Sequence, residues 1–340
     1  MEKESLYYNA LREAGVSYAE LSRLKRKGSW ATTWNAHPSA KRNGIDPERS
    51  WDALAKNGVE LILRDDTRFP ALLRETTHPP HGLYIKGILP DETHLHLGMV
   101  GTRKATDDGV RQARDIAKQL AARGIVIVSG LALGIDRASH MGALEAKGTT
   151  LAILGNGLDD IYPHTNKRLA EEILANGGAL ISEYALNTPS FPSNFLERNR
   201  IISGLSRGIV VIEAPVRSGS LATARFALED NREIFVLPGP ATHPNYQGSL
   251  KLIREGARLV RDASDIFEDL GLETENAQAT IAALTSEAQK IIDALTQSAH
   301  PLDIDQLIEK TGLPAPLVSQ NVSLLVIQGT IKDNSNGYSL

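Results

Sequence analysis

Short runs of apolar residues alternate with longer segments of helical spacing through the middle of the chain. Six such runs occur, each followed by a turn and then by a helical pattern: LHLGMV, IVIVSG, TTLAILG, ALISEYA, GIVVIEA and EIFVLPG. Strands that are apolar on both faces and alternate with helices are typical of a parallel sheet covered on both sides. The pattern therefore predicts an α/β domain with a doubly wound parallel sheet over residues 85–272.

Different patterns flank this Rossmann-like part. Residues 1–84 have helical spacings and contain all three tryptophans, which predicts a small helical (SAM-like) domain. A polar linker near 273–282 is followed by three short helical patterns and by a segment that resembles a hairpin turning at Asn336-Gly337. Three helices and a β-hairpin predict a winged-helix-like domain over residues 283–340.

Charge is distributed unevenly along the chain. The net charge is −4, with 13 basic and 11 acidic residues in 1–84, 21 and 22 in 85–270, and 3 and 8 in 271–340. A nucleic-acid site must then be a local patch in the first two parts. The third helix of the winged-helix-like domain contains no Lys or Arg, so we interpret this domain as a protein-interaction module; a degenerate DNA binder is the alternative.

Several classes of function lack their signals in this sequence. There is no cysteine, which excludes disulfides and thiolate metal sites, and the nine histidines lack metal-ligand spacing. The strand-end turns contain neither G-x-G-x-x-G nor G-x-x-x-x-G-K-[ST], so no nucleotide cofactor is supported. No apolar run is long enough for a membrane span, and the N-terminal residues lack the apolar core of a signal peptide. We expect a cytoplasmic protein without a cofactor and without membrane association.

The candidate chemistry lies in the turns that follow the predicted strands. The carboxyl ends of parallel strands lie at one edge of the sheet, where the βα turns converge. Gly and Ser next to helix N-termini present backbone N–H groups to an anion. The first and fifth runs are followed by such turns, whose residues are Gly101, Thr102 and Arg103, and Arg217, Ser218, Gly219 and Ser220. We predict that the two turns together bind phosphate.

A further group lies in SNFLERNRIISG, which precedes the fifth run and is spaced like a packed helix. Its candidate residues are Phe195, Arg198, Asn199 and Arg200. Guanidinium groups beside an aromatic ring suit the phosphates and bases of a single-stranded nucleic acid. The alternatives are structural, since Arg198 could form a buried ion pair with Glu213 or Glu183, and Phe195 could belong to the core.

Six stretches, taken in order, resemble the bacterial DNA-processing protein A family (DprA/Smf): VGTRKATDDG, VSGLALGIDRASHMGAL, AILGNGLDDIYP, LISEYA, FLERNRIISGLSRGIVVIEAPVRSGSLATARFALE and FVLPGP. The resemblance implies a homodimer that binds and protects incoming single-stranded DNA and loads RecA recombinase onto it in natural transformation. It also implies no enzymatic activity. By motif it assigns DNA contacts to Arg103, Phe195, the R-N-R segment 198–200 and the anion turn 217–220.

An enzyme is the main alternative. The central fold of the DprA family resembles that of the lysine decarboxylase-like phosphoribohydrolases, which carry P-G-G-x-G-T-x-x-E. From Pro215 this chain reads Pro-Val-Arg-Ser-Gly-Ser-Leu-Ala-Thr, so Thr223 stands where that motif has its glutamate. Without this carboxylate we expect no hydrolysis of nucleoside monophosphates.

Overall fold

The computed structural model describes residues 2–25, 28–38, 44–91, 93–272, 286–298, 300–327, 330–334 and 337–340. The chain divides into two compact units, of which the first ends at Ile266 and the second begins at Phe267. The predicted linker at 273–282 and the turn residue Asn336 lie outside the described residues. Among the described helices, none combines the length and the apolar character that a membrane crossing requires.

The first unit begins with helices and two short strands: α1 (Glu2–Glu13), α2 (Tyr18–Lys25), α3 (Trp30–Ala36), α4 (Pro47–Lys56), β1 (Glu60–Leu63), α5 (Ala71–Arg74) and β2 (Gly82–Gly87). Strands and helices then alternate: β3 (His96–Val100), α6 (Asp107–Ala122), β4 (Val126–Ser129), α7 (Ile135–Glu145), β5 (Thr150–Leu154), α8 (Lys167–Ala175), β6 (Ala179–Ser182), α9 (Pro192–Gly204), β7 (Gly208–Val211), α10 (Gly219–Glu229), β8 (Glu233–Val236), α11 (Gln247–Arg254), β9 (Arg258–Leu259) and α12 (Ala263–Asp269).

All nine strands of this unit form one sheet in the order β1-β2-β6-β5-β4-β3-β7-β8-β9. The pairs from β6 to β9 are parallel, whereas β1 and β2 pair antiparallel with each other and β2 pairs antiparallel with β6. The six apolar runs of the sequence correspond to β3 through β8. The predicted doubly wound, Rossmann-like parallel sheet is confirmed.

The first 84 residues are less independent than their helical spacing indicates. β1 and β2 extend the sheet beyond β6, and the boundary placed at residue 84 falls inside β2. Tyr8 and Trp30 of the N-terminal helices are buried in the same apolar cluster as Leu154 and Leu180 of the sheet. Because this cluster buries apolar side chains from both parts, the helices share a core with the sheet.

The opposite face of the sheet packs against the helices that follow β6 and β7. Ile201 and Ile202 of α9 and Ala224 of α10 join Val100 and Val211 of the sheet in a second buried cluster. This packing fixes α9 and α10 against the strands, so that residues at their N-terminal ends have defined positions at the carboxyl edge of the sheet.

The second unit contains α13 (Ser286–Thr296), α14 (Ile304–Thr311), α15 (Ala315–Ile327) and the antiparallel strands β10 (Lys332–Asn334) and β11 (Gly337–Ser339). Its own core is formed by residues such as Ile291, Leu307, Val318 and Leu325. Asp303 and Gln306 form a capping box at the start of α14. Three helices followed by a two-stranded ribbon confirm the winged-helix-like architecture.

Candidate nucleic-acid interface

A cleft opens at the carboxyl ends of the neighbouring strands β3 and β7. The chain continues from β3 to β4 on one side of the sheet and from β7 to β8 on the other, so the winding direction reverses between them. Ligands of open α/β sheets bind at such a reversal, because the turns after the two strands diverge to opposite faces. The cleft encloses about 450 Å³.

All the predicted site residues except Arg200 line this cleft: Gly101, Thr102, Arg103, Phe195, Arg198, Asn199, Arg217, Ser218, Gly219 and Ser220. The structure thus brings these residues of the turn after β3 together with those of a helix and of a second strand-end turn, which lie more than 90 residues later in the sequence. The cleft is also lined by residues outside the prediction, including Asp136, Tyr162 and Leu196.

The turn after β3 is held by Glu213, whose side chain is fully buried. The Glu213 carboxylate accepts hydrogen bonds from the backbone N of Thr106 at 3.1 Å and from the Thr106 hydroxyl. It also accepts from Asn245 Nδ2 at 2.7 Å and from the Tyr246 hydroxyl at 3.1 Å. Burial and the Glu213 charge raise the pKa of Tyr246 to about 12. Glu213 therefore anchors the turn that carries Arg103.

Two exposed guanidinium groups, those of Arg103 and Arg217, stand at the cleft. Within the described part of the chain, neither has a carboxylate partner in an ion pair. Ser218 caps α10, its hydroxyl accepting from the backbone N of Ser220 at 3.3 Å. Asn199 Nδ2 donates to the Gly219 carbonyl at 3.2 Å and joins this turn to α9. The arrangement leaves two positive charges free to meet an anion at a helix start.

Arg198 lies in the floor of the cleft and is only 3% exposed. Its Nη1 donates to the Gly130 carbonyl at 2.8 Å and to the Ile153 carbonyl, at the ends of β4 and β5. Burial lowers the pKa of this guanidinium to about 10, although the nearby Asp136 carboxylate opposes the shift. The Nε atom is buried without a hydrogen-bond partner in the described structure. Arg198 pairs with neither of the glutamates that the sequence offered as alternatives.

Arg200 points away from the cleft. Successive residues of a helix are about 100° apart around its axis, so Arg198 and Arg200 lie on nearly opposite faces of α9. Arg200 forms a buried ion pair with Glu183, and its Cζ atom lies 4.7 Å from the centroid of the Tyr18 ring. The backbone carbonyl of Glu183 accepts from Arg12 Nε at 3.2 Å. Arg200 thus connects α9 and the end of β6 to the N-terminal helices.

Phe195 is half-buried between other groups of the cleft. The Cζ atoms of Arg103 and Arg198 lie 5.3 and 6.0 Å from its ring centroid. A Cβ atom at Gly155 would come within 3.0 Å of the Phe195 ring, so the ring packs on this glycine. The ring of Tyr162 lies 5.6 Å away, centroid to centroid. The sequence analysis did not include Tyr162 among the site residues, because DDIYP shows neither helical nor strand periodicity. The signal that could have identified it is an aromatic residue in a loop that follows a strand.

Comparison with known proteins identifies the family of this chain. The DNA recombination-mediator protein A family matches residues 60–271, and the DprA winged helix domain matches residues 275–333. The chain belongs to the DprA family. These two matches confirm the resemblance found in the sequence. All residues that line the cleft lie within the matched region 60–271.

Two DprA-family relatives and two solved DprA structures illustrate the similarity. Protein Smf of Escherichia coli (strain K12) is 39% identical over 312 residues, which are 88% of this chain and 82% of that protein. DNA processing protein DprA of Bacillus subtilis is 40% identical over 222 residues, 64% of this chain and 73% of that protein. The X-ray structure of DprA from Streptococcus pneumoniae has a TM-score of 0.64 at 32% identity and covers 77% of this chain and 97% of its own. A structure concerned with the single-stranded DNA binding mode of Helicobacter pylori DprA has a TM-score of 0.55 at 29% identity, with coverages of 62% and 95%.

Proposed function

We propose that this chain binds single-stranded DNA in the cleft between β3 and β7, and that it acts without catalysis as a mediator of recombination. In this role it protects incoming single-stranded DNA and loads RecA recombinase onto it during natural transformation. The observation that carries the proposal is the pair of exposed, unpaired guanidinium groups of Arg103 and Arg217 at a cleft that also contains aromatic rings. The single-stranded DNA binding mode described for the Helicobacter pylori relative supports it.

Single-stranded rather than duplex DNA suits this cleft for a geometric reason. Tyr162 and, to a smaller extent, the half-buried Phe195 offer ring surfaces inside the cleft, and only an unpaired base exposes its face to such a surface. Arg103, Arg217 and the start of α10 would bind the phosphates on either side of that base.

Two features of the cleft support a binding role without hydrolysis. Thr223, at the position where the phosphoribohydrolase motif has its glutamate, is buried at the edge of the cleft and carries no carboxylate. The carboxylate of Asp136 accepts hydrogen bonds from the backbone N of Gly130 at 3.2 Å and of Ala132 at 3.4 Å. Asp136 therefore serves to fix the turn after β4.

The partners RecA and a second copy of this chain belong to the same proposal. Both partners are implied by the resemblance to the DprA family, and the membership of the chain in that family supports them. The acidic stretch 271–340, with 3 basic and 8 acidic residues, suits contact with a protein better than contact with DNA.

The test is fluorescence anisotropy of labelled single-stranded and duplex DNA over a salt series. The combined variant Arg103→Ala/Arg217→Ala is expected to bind single-stranded DNA at least about tenfold more weakly at low salt. It should also have a salt slope smaller by about 1.4, because each phosphate contact on a single strand contributes about 0.7. The control is Arg168→Ala/Arg254→Ala, which removes two exposed charges from α8 and α11 outside the cleft.

Equal losses for single-stranded and duplex DNA would indicate only a charged patch. Failure of the wild-type protein to bind single-stranded DNA at low salt would refute the proposed function.

A further inference from the structure

The loop after β5 places a second aromatic ring in the cleft. Tyr162 is 40% exposed and lines the cleft together with Phe195 and Arg103. The planes of the Tyr162 and Phe195 rings are inclined by 39°. No described residue forms a hydrogen bond with the Tyr162 hydroxyl. A large part of this side chain is therefore open to whatever occupies the cleft.

The loop that carries Tyr162 is held by hydrogen bonds from a buried asparagine. Asn156 Nδ2 donates to the carbonyls of Gly157 at 3.0 Å and Asp160 at 2.7 Å. The Asn156 carbonyl accepts from the hydroxyl of Ser182, at the end of β6, at 2.7 Å. These bonds fix the loop to two strands of the sheet, so the ring is positioned before a ligand arrives and less ordering is needed on binding.

Phe195, by contrast, offers little free ring surface. It packs on Gly155 on one part of its ring and has the guanidinium groups of Arg103 and Arg198 near it. A base that stacked on Phe195 would have to share the ring with these groups. Tyr162 is the more exposed of the two rings, which makes it the better stacking surface in the cleft as it stands.

The spacing of the two rings decides how they would be used. A base held between two rings needs them about 7–8 Å apart, because each carbon–carbon contact takes about 3.5–4.0 Å. The Tyr162 and Phe195 centroids are 5.6 Å apart, so no base fits between them. Each ring would therefore serve a different base.

We propose that Tyr162 forms a base-binding subsite of its own, which stacks one unpaired nucleobase of the strand whose phosphates meet Arg103 and Arg217. The proposal rests on the proposed single-stranded DNA binding and adds to it a contact to a base. Because every base has a stacking face, the subsite accepts different bases, with a preference set by stacking strength.

The test compares the wild-type protein with Tyr162→Ala, Tyr162→Leu and Tyr162→Phe in anisotropy titrations of a labelled oligothymidine over a salt series. Stacking is worth roughly 1–3 kcal/mol per base, so Tyr162→Ala should weaken binding about 5- to 150-fold. Tyr162→Leu keeps apolar bulk without a ring and should stay weak, whereas Tyr162→Phe should restore most of the affinity that Tyr162→Ala loses. The salt slope should not change in any of them, because no phosphate contact is removed.

A second readout uses only the wild-type protein, so it does not depend on whether a variant folds. An oligonucleotide that carries 5-iododeoxyuridine is irradiated on the wild-type protein, and the cross-linked peptide is identified by mass spectrometry; we expect it to contain Tyr162. Leu228→Ala, which removes an exposed apolar side chain of α10 outside the cleft, is the matched control for the titrations.

The outcomes separate this inference from the proposed function. If the wild-type protein binds the oligothymidine and the affinity of Tyr162→Ala is within twofold of it, the proposed Tyr162 subsite is wrong, while the proposed binding of single-stranded DNA in the cleft still stands. A fall of the salt slope in Tyr162→Ala as large as that in Arg217→Ala would also overturn the subsite, since the tyrosine would then act by placing phosphate contacts. If the wild-type protein does not bind at all, the proposed function itself fails.

Discussion

Two arginines of one short motif have different surroundings in this protein. Arg198 lies in the cleft floor and bonds to carbonyls at the ends of two strands, whereas Arg200 pairs with Glu183 on the far side of the same helix. Both guanidinium groups are nearly inaccessible to solvent. A buried ion pair that loses one partner leaves an uncompensated charge, which costs more free energy than the pair itself contributes.

We therefore predict that Arg200→Met destabilises the first unit by about 3–5 kcal/mol, because it leaves the buried Glu183 carboxylate without its cationic partner. Urea unfolding followed by circular dichroism measures this loss. The double variant Arg200→Met/Glu183→Leu should recover much of it, since both charges are then gone.

Binding of single-stranded DNA by Arg200→Met, measured below its unfolding transition, decides the role of Arg200. If the affinity falls as far as in Arg217→Ala while the unfolding free energy is unchanged, Arg200 contacts DNA and the structural role is wrong.

At the residue scale, all the predicted turn residues line the cleft, whereas among the predicted residues of α9 Arg200 does not line it. Arg103 and Arg217 follow strands, and the carboxyl ends of parallel strands lie together. Arg198 and Arg200 lie on a helix, where neighbours two positions apart point to nearly opposite sides. The spacing alone thus shows that both cannot line one cleft, but not which of them does, because that depends on how α9 packs on the sheet.

At the scale of elements, Glu213 joins three of them. Its hydrogen bonds connect the end of β7 to the start of α6 and to the turn before α11. The first turn of α6 approaches this carboxylate so closely that a Cβ atom at Gly109 would overlap Glu213 Oε1. The absence of a side chain at Gly109 is therefore a condition for the contact.

Gly109→Ala is predicted to destabilise the protein by about 1–3 kcal/mol through this overlap. It should also weaken binding of single-stranded DNA, because α6 and the turn that carries Arg103 must shift. Thermal unfolding and anisotropy measure the two effects.

Gly219→Ala is the matched substitution for the stability measurement. It also lies in the first turn of a helix, but its nearest neighbours would be 3.9 Å from the new Cβ, which is ordinary contact distance. An equal loss of stability in both variants would show that the Glu213 contact is not the cause.

The sequence predicted the parallel strands better than the antiparallel ones. β3 through β8 are apolar on both faces and alternate with helices, so their pattern is unambiguous. β1 and β2 are short and lie among helical spacings. The pairing of β1 with β2 and of β2 with β6 depends on tertiary contacts that no local pattern encodes. The shared core of the N-terminal helices and the sheet was hidden for the same reason.

At the scale of the whole molecule, the cleft belongs entirely to the first unit. The second unit has its own core and a third helix without Lys or Arg. The proposed function therefore assigns DNA to the first unit, and the interpretation of the second unit as a protein-interaction module can be tested separately.

A chain that ends at residue 272 is predicted to bind single-stranded DNA with the affinity and salt slope of the full chain within about twofold, since no cleft residue is removed. RecA-dependent strand exchange on the same DNA should be stimulated less by the shortened chain if the second unit meets protein. Anisotropy and a strand-exchange assay run in parallel measure the two properties. A clear loss of DNA affinity on truncation would place DNA contacts in the second unit.

The neighbouring strands β3 and β7 also set the order in which this protein acquires its function during synthesis. Gly98 pairs with Ile209, more than 100 residues later in the chain, while β3 meets β4 almost at once. At about 5–20 residues per second, a ribosome needs roughly 5–20 s to deliver the second wall of the cleft after the first. A nascent or prematurely terminated chain without β7 thus has only one side of the cleft and lacks the proposed anion-binding turn that contains Arg217. The complete cleft therefore forms only after β7 has been synthesised.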